Sequence, residues 1–139
     1  MGKRREGREA AVQFLFAHDL HGEHTPEEQE AFWTVHNAKN SVRTYAESLI
    51  QGVVAHTAEI DALIEPVLEN FRMQRLAVVD LNVLRLAVYE LVYVPEVPAP
   101  VVINEAIEIA KVLGAGESGS FVNGILHKIA LKVRPKSNL

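Results

Sequence analysis

The chain has no cysteine. Neither a disulfide framework nor a thiolate metal site can be built from it. It has no apolar run near the ~18 residues that a membrane span needs. Aromatic residues are scarce at 6%, with a single Trp, Trp33. Sustained period-2 alternation is missing: Val92–Val94 and Val101–Ile103 are the only β-like runs, and both are short. A sheet is therefore not expected. The N-terminus is basic, but Gln13, His18 and Asp19 interrupt the apolar residues after it, so no secretory apolar stretch forms and a cytoplasmic protein is expected. The 139 residues, 48% hydrophobic and 23% charged, match an ordinary globular domain or two small lobes sharing a core.

Catalytic patterns are also missing. His18, His21 and His24 are spaced at i, i+3 and i+6, but Gly22 breaks the helix between them and HExxH is absent, which disfavours a metal site. His127 follows Asn123 by one turn without a Ser or Asp partner for a nucleophilic triad. The GAGESGS stretch lacks the Lys-Ser/Thr of a phosphate loop and follows no strand. No catalysis, cofactor or metal is expected.

What is present is helical periodicity, about seven helices in a compact all-α bundle of two lobes. The first helix is expected from near Arg5 to about Leu20, with Ala11, Phe14, Leu15 and His18 on one face, flanked by Val12 and Phe16. Gly22 ends it. Thr25, Pro26 and Glu28 carry the capping-box signature of a helix to about His36, with Ala31, Phe32 and Val35 inward and Trp33 as anchor. Ser41 opens a helix to about His56 whose apolar side is Val42, Tyr45, Ala46, Leu49, Val53 and Val54. Thr57 caps another with Ile60, Leu63 and Ile64 inward, and Pro66 ends or bends it. Val67–Val79 forms a joint plugged by Phe71, Met73 and Leu76.

Asp80 is expected to cap a helix to about Tyr93 that is apolar nearly all round, and hence central. Its polar strip is Asn82, Arg85 and Tyr89, with Glu90 beside it. After the stiff Pro95, Pro98, Pro100 connection, Ile103, Ala106, Ile107, Ala110 and Leu113 form one helical face. Gly114 is expected to stop that helix in the left-handed conformation, and Ser118 to cap the last one. The last helix buries Val122, Ile125, Leu126, Ile129 and Val133 and ends before Pro135. The lobes are expected at about 1–69 and 70–134.

Two features point to a polyanion. Residues 1–10 hold Lys3, Arg4, Arg5 and Arg8 against Glu6 and Glu9, whereas the remainder of the chain has 10 basic and 16 acidic groups. A basic arm on an acidic body fits a localised contact, although a short basic cluster is more often a solvated terminus. Phe121 lies in the first turn of the last helix, beside free backbone N–H groups. It either wedges the turn against the core, the commoner role, or offers a ring to a base.

Three stretches together resemble one family. RREGREAAVQFLF (Arg4–Phe16) is similar to its arginine-rich opening. NFRMQRLAVVDLNVLRLAVYEL (Asn70–Leu91) is similar to its central helix and the joint before it. VVINEAIEIAK and SGSFVNGIL are similar to its C-terminal helix pair. The family is the bacterial transcription antitermination factor NusB, and the likeness covers nearly the whole chain apart from about residues 21–45.

The resemblance implies an all-helical, non-catalytic protein. With the ribosomal protein NusE it would bind boxA RNA of rRNA operon transcripts, then join RNA polymerase and other Nus factors. It places RNA contacts at Lys3, Arg4, Arg5, Arg8, Phe16, Asp80, Glu117, Ser118, Gly119 and Phe121. It places a partner surface around Arg75, Asn82, Arg85 and Tyr89. Alternatives are a helical homo-oligomer, since some family members are homodimers, and a stand-alone relative of the module fused to rRNA cytosine methyltransferases. The free factor is preferred because the sequence leaves no room for a methyltransferase domain. Three positions depart from the family pattern. Gly7 replaces the usual Ala and is expected to loosen the arm. Phe16 stands where Tyr is common, and His127 where an acidic residue is usual.

Overall fold

The computed structural model describes residues 2–21, 25–68 and 73–135. Among them are seven α-helices and no strand: α1 (Lys3–His21), α2 (Pro26–His36), α3 (Asn40–Ala55), α4 (Thr57–Ile64), α5 (Val78–Tyr93), α6 (Ala99–Leu113) and α7 (Ser118–Val133). Single 3-10 turns cover Glu65–Val67 and Met73–Arg75. Gly22, His24 and Phe71 lie outside the described residues, as do the side chain of His21 and residues 69–72 of the expected joint.

The all-α expectation holds, and α5 is the centre. It packs against α1, α3, α4, α6 and α7. Leu84, Val88 and Leu91 are fully buried, because the helix has an apolar residue on every side and a neighbour for each. The tightest partnerships are α6 with α7 and α1 with α3. A single apolar core runs through all seven helices.

Local rules placed α2 well. Thr25 Oγ1 accepts from the Glu28 N–H at 3.1 Å, and the Glu28 carboxylate accepts from the Thr25 N–H at 2.8 Å. This reciprocal pair satisfies two donors that a helix start leaves open. α2 nevertheless buries only Trp33. Ala31 is exposed and Val35 is 86% exposed, against expectation, because α2 touches the body along one narrow edge. Phe32 packs edge-on to Phe14 with ring centroids 5.2 Å apart. On α3, Val42, Ala46, Leu49 and Val53 point inward with Ile50, while Val54 is half exposed.

Several boundaries differ from expectation for identifiable reasons. α1 is helical from Lys3, so the arm is part of a helix. α3 begins at Asn40 with Lys39 at the cap. His56 occupies the N-cap of α4, and Thr57 donates its hydroxyl to the Val53 carbonyl instead of capping. α5 begins at Val78, so Asp80 sits in its first turn and not at the cap. A carboxylate there still complements the helix dipole. α6 packs against both α5 and α7 and buries a wider face than one stripe, adding Val102 and Ile109 to Ile103, Ala106 and Ala110.

The turn from α6 to α7 works differently from a left-handed glycine stop. Gly114 is extended, with φ −102 and ψ −166. Glu117 is the N-cap of α7, and Ser118 is its first residue. The Ser118 hydroxyl accepts a hydrogen bond from the Ala115 N–H at 3.0 Å and so closes the turn itself. It stands 2.5 Å from where a Cβ on Gly114 would be. Glycine is needed at 114 for space.

Candidate nucleic-acid interface

At this turn the surface opens into a groove of about 440 Å³. Asp80 comes from the first turn of α5, Glu117, Ser118 and Phe121 from the start of α7, and Arg75 from the 3-10 turn. Four of the RNA contacts expected from sequence thus meet around one depression. Phe121 is half-buried there, its inner side packed on the core. Gly119 is buried behind the turn: a Cβ on it would stand 3.2 Å from Lys111 Cγ, so the turn rests directly on the stem of that side chain. Asp80 Oδ1 is shielded and has no hydrogen-bond partner among the described residues. Ser120, exposed on the same rim, was not singled out from sequence; its signal was its place in the SGSF run.

The arginine-rich helix divides into two pairs. Lys3 and Arg4 are exposed and make no hydrogen bond or ion pair among the described residues. Arg5 and Arg8 are engaged. The Arg5 guanidinium grips Glu105 of α6, Nε to Oε1 at 2.9 Å and Nη2 to Oε2 at 2.5 Å. These bonds hold the Glu105 carboxyl below its ordinary range and raise the Arg5 guanidinium. Arg8 is only 4% exposed. Its Nε and Nη2 each donate to the Glu90 carboxylate at 2.9 Å. Burial disfavours the charge on Arg8, yet the bonds to Glu90 leave the guanidinium raised. Arg8 Nη1 also lies 3.7 Å from Glu105 Oε1.

The expectation that Arg8 lines a phosphate-facing surface beside its neighbours is therefore corrected. α1 lies against α5 and α6, which turns Arg8 into the interior. Glu90 and Glu105, its partners, were not singled out as site residues. A glutamate within the apolar run of α5 was the available signal, since a buried carboxylate requires a cation. Gly7 also reads differently in place. A Cβ on it would stand 2.5 Å from Tyr45 Cδ2, so this glycine seats a ring from α3. Phe16 is half-buried, and His127 is exposed.

The expected partner residues do not form one patch. Arg75 borders the groove. Asn82 is 1% exposed and donates its side-chain amide to the Val78 carbonyl at 2.9 Å, which removes it from any surface. Arg85 pairs with Asp61 of α4, at 2.9 and 3.0 Å. Tyr89 joins a ring stack with His56 and Tyr93.

One helix connects the two halves of the candidate interface. Glu105 of α6 holds the arm, and Lys111, six residues further along, supports the Gly119 turn. The arm and the Gly119 turn therefore both rest on α6, although they come from opposite ends of the chain.

Fold and interface define the class, an all-α bundle whose arginine-rich first helix and aromatic-bearing turn share α6. The model of the NusB family matches residues 5–131, and the chain belongs to that family. It is 45% identical over 130 residues to the transcription antitermination protein NusB of Sorangium cellulosum, covering 94% of this chain and 93% of that one. To the protein of the same name from Listeria monocytogenes it is 46% identical over 129 residues, covering 92% and 96%. Among solved structures, NusB of T. maritima superposes with a TM-score of 0.83 at 38% identity, covering 98% of this chain and 95% of that one. A structure of antitermination factors NusB and NusE in complex with dsRNA gives 0.84 at 32% identity, covering 95% and 98%.

Proposed function

We infer that this chain is an RNA-binding transcription antitermination factor. Together with NusE it binds boxA RNA of rRNA operon transcripts and supports processive transcription by RNA polymerase with other Nus factors. It does so without catalysis, as a binding protein in the cytoplasm. The relatives bear the name of that function over nearly their whole length, and a similar structure holds NusB with NusE and RNA. The observation that carries the reading is the meeting of Asp80, Glu117, Ser118 and Phe121 around one groove, at a turn that rests on the helix that also holds the arginine arm. Lys3, Arg4 and Arg5 take phosphates, and Phe121 stacks on a base. Arg75 at the rim is the strongest candidate for the NusE side. Arg85 and Tyr89, facing α4 and α3, are weaker ones. The chain divides into lobes of about 1–69 and 70–134, meeting where α1 lies on α5 and α6.

The test is the affinity of a boxA oligonucleotide for this chain, alone and with purified NusE. Tighter binding in the presence of NusE is expected, because a shared surface orders the site before RNA arrives. No difference between the two, or no preference for boxA over a scrambled strand, would remove the proposal.

A further inference from the structure

We propose that Glu105 is an internal stand-in for RNA phosphate, holding Arg5 until a phosphate displaces it. This rests on the RNA-binding reading above and adds a residue that sets its strength. A guanidinium meets a carboxylate and a phosphate through the same two-pronged geometry. Arg5 already presents that geometry to Glu105, through Nε and Nη2, at the edge of the arm. Both side chains remain partly accessible, 22% for Arg5 and 16% for Glu105, so a phosphate can approach the pair from solvent.

The exchange is favourable because Glu105 does not end up alone. Arg8 Nη1 stands 3.7 Å from its Oε1. Arg8 is itself fixed by two bonds to Glu90, so it stays in place as Arg5 leaves. A carboxylate abandoned in a part-buried position would otherwise oppose the exchange. The four groups thus act as a relay. Glu90 anchors Arg8, Arg8 retains Glu105, and Glu105 yields Arg5. Before RNA binds, the pairing also masks one of the arm's cations, which lowers attraction to unrelated polyanions.

Three variants of the full chain, each bound to NusE, test this against a boxA oligonucleotide over a salt series. Circular dichroism establishes that each remains helical. Arg5→Gln is expected to weaken binding and to reduce the salt slope by about 0.7, the loss of one phosphate contact on a single strand. Glu105→Gln removes the competitor and is expected to tighten binding about two- to five-fold, the range of one ion pair open to solvent on one side. Glu108→Gln, one turn along α6 where the carboxylate pairs with Lys111, reports the effect of merely removing a negative charge nearby.

The proposal is overturned if Arg5→Gln leaves the salt slope unchanged, since Arg5 then never meets RNA. It is equally overturned if Glu105→Gln gains no more than Glu108→Gln, or weakens binding. The last result would make Glu105 a support that aims Arg5. Absence of boxA binding by the unaltered chain with NusE would remove both this proposal and the function it rests on. Normal binding with any of the preceding results removes this proposal alone.

Discussion

The Arg8 guanidinium and the Glu90 carboxylate face each other through two hydrogen bonds of 2.9 Å, in the interior, across 82 positions of sequence. They fasten α1 to α5 and so set where the exposed part of the arginine helix lies. Removing one partner strands the other charge. Glu90→Leu is expected to cost ~3–5 kcal/mol of folding stability. Arg8→Met combined with Glu90→Leu is expected to recover most of it, because two apolar groups of similar size replace the buried pair. Urea unfolding of the two single variants and the double variant checks this; a double variant as weak as the singles would refute it.

Gly7→Ala is expected to destabilise the chain, although alanine is the better helix former by about 1 kcal/mol. The new Cβ would lie 2.5 Å from Tyr45 Cδ2 and 3.5 Å from Cγ, so the whole ring must shift. Overpacking of this kind costs ~1–3 kcal/mol and outweighs the gain in propensity. Tyr45→Leu should make the same substitution tolerable. Thermal midpoints of the four combinations decide it.

These two contacts show where sequence reasoning reached and where it stopped. Thr25, Pro26 and Glu28 announce α2 because a cap is a matter of three neighbouring residues. The stripe Val122, Ile125, Leu126, Ile129 is legible because a helical face repeats along the chain. Ser118 and Phe121 were legible as a turn, and the family resemblance supplied their link to Asp80. The fate of each arginine was not legible. Arg4 and Arg8 look alike in sequence, and only the docking of α1 on α5 and α6 exposes one and buries the other. Asn82 was misplaced for a similar reason. A polar residue on an apolar helix reads as surface, but its amide is satisfied by the Val78 carbonyl one turn back. Gly7 reads as a weak point of the helix until Tyr45, from another element, is seen to need the space.

Acid should selectively remove the contribution of Glu105. Its carboxyl is held below the ordinary value of 4.5, first by the hydrogen bonds from Arg5. A group lowered in the folded state contributes stability above its unfolded pKa and loses it as pH falls through the folded one. The difference in unfolding free energy between the native chain and Glu105→Gln should therefore be constant at neutral pH. It should shrink below about pH 4.5. A difference that persists unchanged into acid would mean that the charge on Glu105 is irrelevant to the fold.

Phe121→Leu separates the two roles of its ring. Leucine retains apolar packing against the core but cannot stack on a base. Folding stability should change little, while boxA affinity in the presence of NusE should fall by ~1–3 kcal/mol. Parallel unfolding and binding curves measure both. Unchanged affinity would leave the ring as a wedge between turn and core.

The division of the arm predicts unequal roles for its cations. Lys3 and Arg4 are exposed and unengaged among the described residues, so replacing both with Gln should leave the unfolding midpoint in place. The same change should lower the salt slope of boxA binding by about 1.4, at roughly 0.7 for each phosphate lost on a single strand. Arg8 should behave in the opposite way. Arg8→Met with Glu90→Leu, which keeps the interior filled, should lower the salt slope by at most about 0.7, the single contact of an Arg5 that Glu105 no longer releases, because a buried and paired guanidinium itself releases no counterion when RNA binds. A slope that drops with the Arg8 replacement and not with Lys3 and Arg4 would show that α1 leaves its place against α5 and α6 to meet RNA. Binding titrations at several salt concentrations on these two proteins distinguish the cases.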